Sequence, residues 1–273
     1  MNFSFYHQIP LWLDFAIFLA VLLISLELGY RIGLRRKDAW TEIEEAGGKL
    51  SLTSMFAILG LMLAFTFSAA ISRHEARKRS VIAESNALST AFLRAGLIED
   101  PVRSELRTAL LDYARTRRSE RDRTMTVARL ERLFQESQEA KARLWPMVER
   151  MVHSSKPGLV EASVAGAVIE VLDCDTVRVA AIVDSLPAMV LTLLLLIAAA
   201  TVSVAGFNAG LSGQMSRWRT TLLILVLASI ILVILDFDQS ITGFIQVSPA
   251  SIDDVIAQME RILAGDQTTI PAQ

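Results

Sequence analysis

Cysteine, histidine and charge are all scarce in this chain. A single cysteine, Cys174, excludes an intrachain disulfide framework and a Cys-rich zinc site. With no neighbouring histidine it reads as a buried structural thiol. The three histidines, His7, His74 and His153, stand far apart, and none has the H-E-x-x-H spacing of a zinc enzyme. The Gly47-Gly48-Lys49 run lacks the upstream glycine of a phosphate loop, and no G-x-S-x-G elbow occurs. Charged residues make up only 21% of the 273 residues, and 27 basic against 29 acidic ones leave a net charge of −2. Such a balance carries no nucleic-acid footprint. The chain is therefore not expected to be an enzyme, and no metal, cofactor or nucleic-acid partner is expected.

What the chain does have is apolar length. Apolar residues reach 52% and the mean hydropathy is +0.43, above the soluble range. A bilayer span needs about 20 apolar residues. Residues 50–72 form a charge-free run of 23. Further spans are expected at about 186–207 and 219–236, joined by a short turn. The run at about 11–33 holds Asp14 and Glu27, both near its ends, where they reach the headgroups. Ten uncharged residues precede it and no small-residue cleavage site follows, so a removed signal peptide is not expected.

Between the second and third spans lie residues 73–184, with 19 of the 27 basic and 17 of the 29 acidic residues. Apolar residues recur there at helical spacing: Val102, Leu106, Leu110, Tyr113, then Val127, Leu130, Leu133, Leu144, Met147, Met151. A third run (Val160, Val164, Val168, Val171, Leu172, Val179, Ile182) leads into the third span. Asp100-Pro101 and Lys156-Pro157-Gly158 mark helix boundaries. The mixed-sign run 116–123 reads as a solvated helix face. The expected fold is all-α: a first transmembrane hairpin (1–72), an extramembrane helical region (73–184), a second hairpin (185–237) and a C-terminal tail (238–273). Basic clusters on both sides of the spans compete, so the positive-inside rule assigns no orientation.

The second span carries the most specific pattern. Gly60, Ala64 and Ser68, spaced i, i+4, i+8, form a small-residue stripe of the kind that lets helices pack closely in lipid. Ala57, Leu61 and Phe65 form an adjacent apolar stripe. Spacing alone leaves two uses open, ordinary helix packing and the narrowing of a shared axis. Thr66, Ser68 and Ser72 are the polar groups available along such an axis.

The stretch LGLMLAFTFSAAISRHEARKRSVIAESNAL resembles the bestrophin-like bacterial membrane family, a domain of unknown function, and more distantly the second helix of bestrophin anion channels. The stretches LDCDTVRVAAIVDSLP and ILDFDQSITGFIQVSP are similar to the same family. The resemblance implies a homo-oligomer, possibly a pentamer, in the lipid of a bacterial inner membrane, with small anions as the conducted species. It places a hydrophobic neck on Ala57, Leu61 and Phe65, counted back from Arg73. Arg73 and Arg77, just past the span, are the implied anion-attracting groups, with headgroup anchoring as their alternative. Asp236 and Asp238 are followed by Gln239-Ser240 instead of the family's Arg-Pro, and the acidic run of a bestrophin calcium clasp is missing. Both are expected as helix-end polar groups in water. The competing function is a non-conducting membrane scaffold or sensor whose helical region binds a partner.

Overall fold

The computed structural model describes residues 11–37, 42–118, 127–154, 158–213, 216–239 and 244–268. Regular structure among them is wholly helical, which makes the chain an all-α membrane protein. The elements are α1 (Leu11–Arg35), α2 (Glu42–Ala95), α3 (Val102–Thr116), α4 (Val127–Ala142), α5 (Leu144–Ser154), α6 (Leu159–Val183), α7 (Ala188–Ser212), α8 (Arg217–Asp238) and α9 (Ala250–Thr268). Four stretches are long and apolar enough to cross a membrane: 12–35, one within 47–95, one within 159–212, and 217–238. His7, the N-terminal ten residues, 119–123 of the mixed-charge run, Lys156-Pro157 and Ser240 lie outside the described residues.

Two compact units divide the chain. Unit 1 comprises 1–73, 185–239 and 243–245. Its core joins Leu22 and Leu26 of α1, Leu59 of α2, Leu194 and Ala198 of α7, and Ile224, Ile231 and Ile234 of α8. Phe67 meets Phe237 edge to face, 5.9 Å between centroids. The closest seam lies between α1 and α7. There Gly29-x-x-x-Gly33 faces Gly206-x-x-x-Gly210, and backbone lies where side chains would stand. A Cβ on Gly29 would sit 2.0 Å from the Ser203 carbonyl oxygen, and one on Gly206 would sit 2.3 Å from that of Leu26. Gly213 closes α7 at φ 66°, the left-handed conformation glycine adopts without a Cβ clash.

Unit 2 comprises 74–184, 240–242 and 246–273. Leu88 and Phe92 of α2, Leu106, Leu110 and Tyr113 of α3, Leu144 of α5 and Val164, Val168 and Val171 of α6 build its core. The residues after the last span add a helix to it. Ile252 and Met259 of α9 are buried there, and Arg115–Glu260 and Arg118–Asp253 ion pairs tie α9 to the end of α3. A short tail expected from 238 onward thus contains a packed helix.

The helix that carries the second span continues well past residue 72. α2 runs without a break through 54 residues, more than twice what a bilayer requires. Arg73 and Arg77 therefore stand in mid-helix, not at a helix end. Nothing in 73–95 breaks a helix: proline and glycine are absent from that stretch.

Candidate functional site

Two features merit the name of a site, one in each unit. In unit 1 the exposed face of α2 holds both stripes singled out from the sequence. Leu61 is 56% and Phe65 64% exposed, and Ala57, Gly60, Ala64 and Ser68 are exposed with them. A Cβ on Gly60 would meet nothing within 4 Å. Among the described residues the small-residue stripe therefore packs against no other helix. That task falls to the Gly29/Gly33 and Gly206/Gly210 seam, two G-x-x-x-G spacings visible in the sequence but not weighed there. The opposite side of α2 is the packed one, with Leu59, Thr66 and Ala70 buried. Thr66 donates to the Met62 carbonyl at 2.7 Å, which removes it from any axis, whereas Ser72 is exposed.

Arg73 and Arg77 also turn toward the packed side. Arg73 is half-buried and Arg77 only 4% exposed, and both are already engaged within the fold. The two groups expected to attract anions thus differ in helical phase from the exposed stripe. At about 100° per residue they fall on the face opposite Ala57 and Leu61.

The expectation for Asp236 and Asp238 is corrected. Asp236 is 5% exposed and accepts the backbone N–H groups of Phe244 (2.6 Å) and Ile245 (3.1 Å). Asp238 accepts the Leu186 N–H at 2.8 Å. Instead of facing water, the pair clips two chain turns onto the end of α8. Among the described residues no cluster of three metal-ligating side chains occurs.

Unit 2 contains a buried charge network that sequence reading did not find. Glu84 of α2, fully buried, receives Arg117 Nε at 2.7 Å, Arg178 Nη1 at 2.5 Å and the Tyr113 hydroxyl at 2.8 Å. Asp175, also buried, receives Lys141 Nζ at 2.5 Å. Its other oxygen stands 3.2 Å from Arg117 Nη2, close as charges but not aligned as a hydrogen bond. Ser137 accepts from Arg117 at 3.1 Å, and the Arg117 carbonyl accepts from Arg178 at 3.3 Å. α2, α4 and α6 and the end of α3 thus converge on two carboxylates. Burial would lower the Arg117 guanidinium pKa, but Glu84, Tyr113 and Asp175 outweigh it and hold the group above its ordinary range.

Burial, with Glu84 and Asp175 beside it, pushes the Tyr113 phenol well above its usual value, although Arg117 pulls the other way. The unfolded chain releases this proton near pH 10 and the folded one does not. The associated stability is therefore complete below about pH 10 and is lost as pH rises beyond it. Tyr113→Phe should flatten that alkaline slope in a pH series of thermal midpoints. An unchanged slope would mean that the phenol is not what resists ionisation.

Cys174, expected as a buried thiol, is half-buried against the unit 2 core, and burial raises its pKa. It is not a poised nucleophile.

Helices able to cross a bilayer, a core in each unit and no described strand define an all-helical integral membrane protein. A family model, the bestrophin-like domain, matches residues 17–252. The chain belongs to the bestrophin-like family. No curated protein matches it significantly. Among solved structures it is similar to a bacterial bestrophin homologue from Klebsiella pneumoniae bearing a point substitution. The TM-score is 0.61 at 11% identity, covering 89% of this chain and 99% of that one. A second variant of that homologue gives 0.58 at 13% identity, covering 91% and 99%. At such identities the likeness shows the fold alone.

Proposed function

We propose that this chain is one subunit of a homo-oligomer, a pentamer in the bacterial inner membrane, that conducts small anions down their gradient. Ala57, Leu61 and Phe65 of each copy form a hydrophobic neck around the shared axis. Gly60, Ala64 and Ser68, on the flank of the same face, let neighbouring copies of α2 approach. The observation that carries the reading is the exposure of this face: one side of α2 is packed and the other, with Leu61 and Phe65 over half exposed, is free in the subunit. A constriction of apolar rings gates by dewetting, and cationic groups near it draw anions. Family membership supports the same reading. Catalytic activity is not part of it.

The mass of the detergent-solubilised assembly, corrected for bound detergent, tests the oligomer. A fivefold multiple of 30.1 kDa is the expected result. A stable monomer or dimer would favour the scaffold or sensor instead, since it leaves no wide central axis. In liposomes, Phe65→Ala should raise halide flux by widening the neck. Unchanged flux would take Phe65 out of the pathway.

A further inference from the structure

From the faces that unit 2 leaves open we infer that α6 of one copy docks on the 78–93 stretch of α2 of the next, a head-to-tail contact repeated around the assembly. The inference rests on the homo-oligomer proposed above and names the surfaces of unit 2 that join its copies. α6 is apolar on two sides. Val164, Val168 and Val171 mark the packed one. On the other, at about 100° per residue, Leu159, Ala162, Gly166, Ile169, Val177 and Ala180 fall within a wedge of about 80°. All six are exposed, Leu159 at 93%, Val177 at 59% and Ile169 at 43%. Among the described residues, a Cβ on Gly166 would meet nothing within 4 Å. A helix apolar all round belongs in an interior. Lipid is not that interior, because α6 also holds Glu161, Glu170, Asp173, Asp175 and Arg178.

The same unit carries a matching face on α2. From 80 to 93 its exposed side chains are Ile82, Ala83, Asn86 and Leu93, with no charge among them. The two faces cannot meet within one copy. Glu84 of α2 accepts Arg178 of α6 at 2.5 Å, so the two helices face each other along that side. Glu84 lies about 160° or more around α2 from Ile82, Asn86 and Leu93, and Arg178 as far around α6 from Ala162 and Ile169. The open faces therefore point away from each other, on opposite sides of the α2–α6 pair. Two different patches on opposite sides make a heterologous contact, which closes into a ring, where an isologous dimer needs one patch paired with itself. Charge fits a second copy as the occupant. Glu170 and Asp173 are the exposed charges on the open side of α6, and Lys78, exposed one turn before Ile82, stands at the start of the α2 face.

Disulfide trapping in the purified full chain tests the contact. In a Cys174→Ala background, Ile82→Cys is combined in turn with Gly166→Cys, Ile169→Cys or Val177→Cys, which samples the contact along α6. On oxidation with copper phenanthroline, at least one pair should give a ladder on a non-reducing denaturing gel, rising from dimer to the full assembly. Each single-cysteine variant should stay monomeric on the same gel. An assembly of five copies by mass in which no pair gives a ladder would overturn this inference and leave the oligomer standing. Dimers formed by a single-cysteine variant would overturn it too, since they show like face on like. A wild type that is a stable monomer by mass would overturn both readings.

Discussion

Glu84→Ala should cost the protein about 3–5 kcal/mol, the range for removing one partner of a buried ion pair. The carboxylate is fully buried and accepts from two guanidiniums and a phenol. Its loss leaves Arg117 and Arg178, each under 10% exposed, without their main counter-charge. At roughly 3 °C per kcal/mol, the thermal midpoint of the purified protein should fall by about 10 °C. Lys141→Met should cost much less, because Lys141 is a quarter exposed and water can screen Asp175 in its place. Glu84→Leu combined with Arg178→Met should recover part of the loss, since an uncompensated charge is then removed along with its partner. A midpoint for Glu84→Ala within about 3 °C of wild type would mean that water reaches the network freely.

That network shows where sequence reading stops. Its members are 29, 33 and 94 positions from Glu84, and only the packing of four elements brings them together. One signal was nevertheless present. The apolar stripe of α6 runs Val164, Val168, Val171, and its next two positions by the same spacing are Asp175 and Arg178. Charges at core positions of a periodic helix must be paired, because an unpaired buried charge is too costly to keep. Read that way, the stripe announces a buried ion pair even though it cannot name the partners. α9 was legible by the same rule, since Ile252, Val255, Ile256 and Met259 recur at helical spacing in what looked like a tail.

The spans themselves were plain, because apolar length is a local property of the chain. Their ends were less so. Composition changes abruptly at Arg73 while helix propensity does not, so the hydropathy boundary of the second span falls in the middle of α2. That difference moved Arg73 and Arg77 from an imagined helix end to the packed side of a continuing helix. The stripe of Ala57, Leu61 and Phe65 needed only spacing to be seen. Its exposure, and the exposure of Gly60, needed the fold.

The glycines separate two uses of small residues in lipid, and Gly206→Ala and Gly60→Ala should have opposite effects. A Cβ on Gly206 meets the Leu26 carbonyl oxygen at 2.3 Å and the Tyr30 amide nitrogen at 3.0 Å, both backbone atoms that cannot swing aside. α1 and α7 must move apart, at a cost of about 1–3 kcal/mol or more for overpacking a tight seam. Gly29→Ala should cost as much, since its Cβ would lie 2.0 Å from the Ser203 carbonyl oxygen. The double variant should cost less than the sum, because helices already forced apart admit the second methyl group. Gly60→Ala meets nothing in the subunit, and alanine favours the helix by about 1 kcal/mol over glycine, so subunit stability should hold or rise. If Gly60 faces a neighbouring copy of α2, the same methyl group should weaken the assembly while sparing the subunit. Thermal midpoint and assembly mass, measured on the three single variants, therefore divide the seam inside a subunit from the contact between subunits. A Gly206→Ala protein with wild-type midpoint would overturn the close packing of α1 on α7. A Gly60→Ala protein of unchanged mass would show that neighbouring copies do not meet at Gly60.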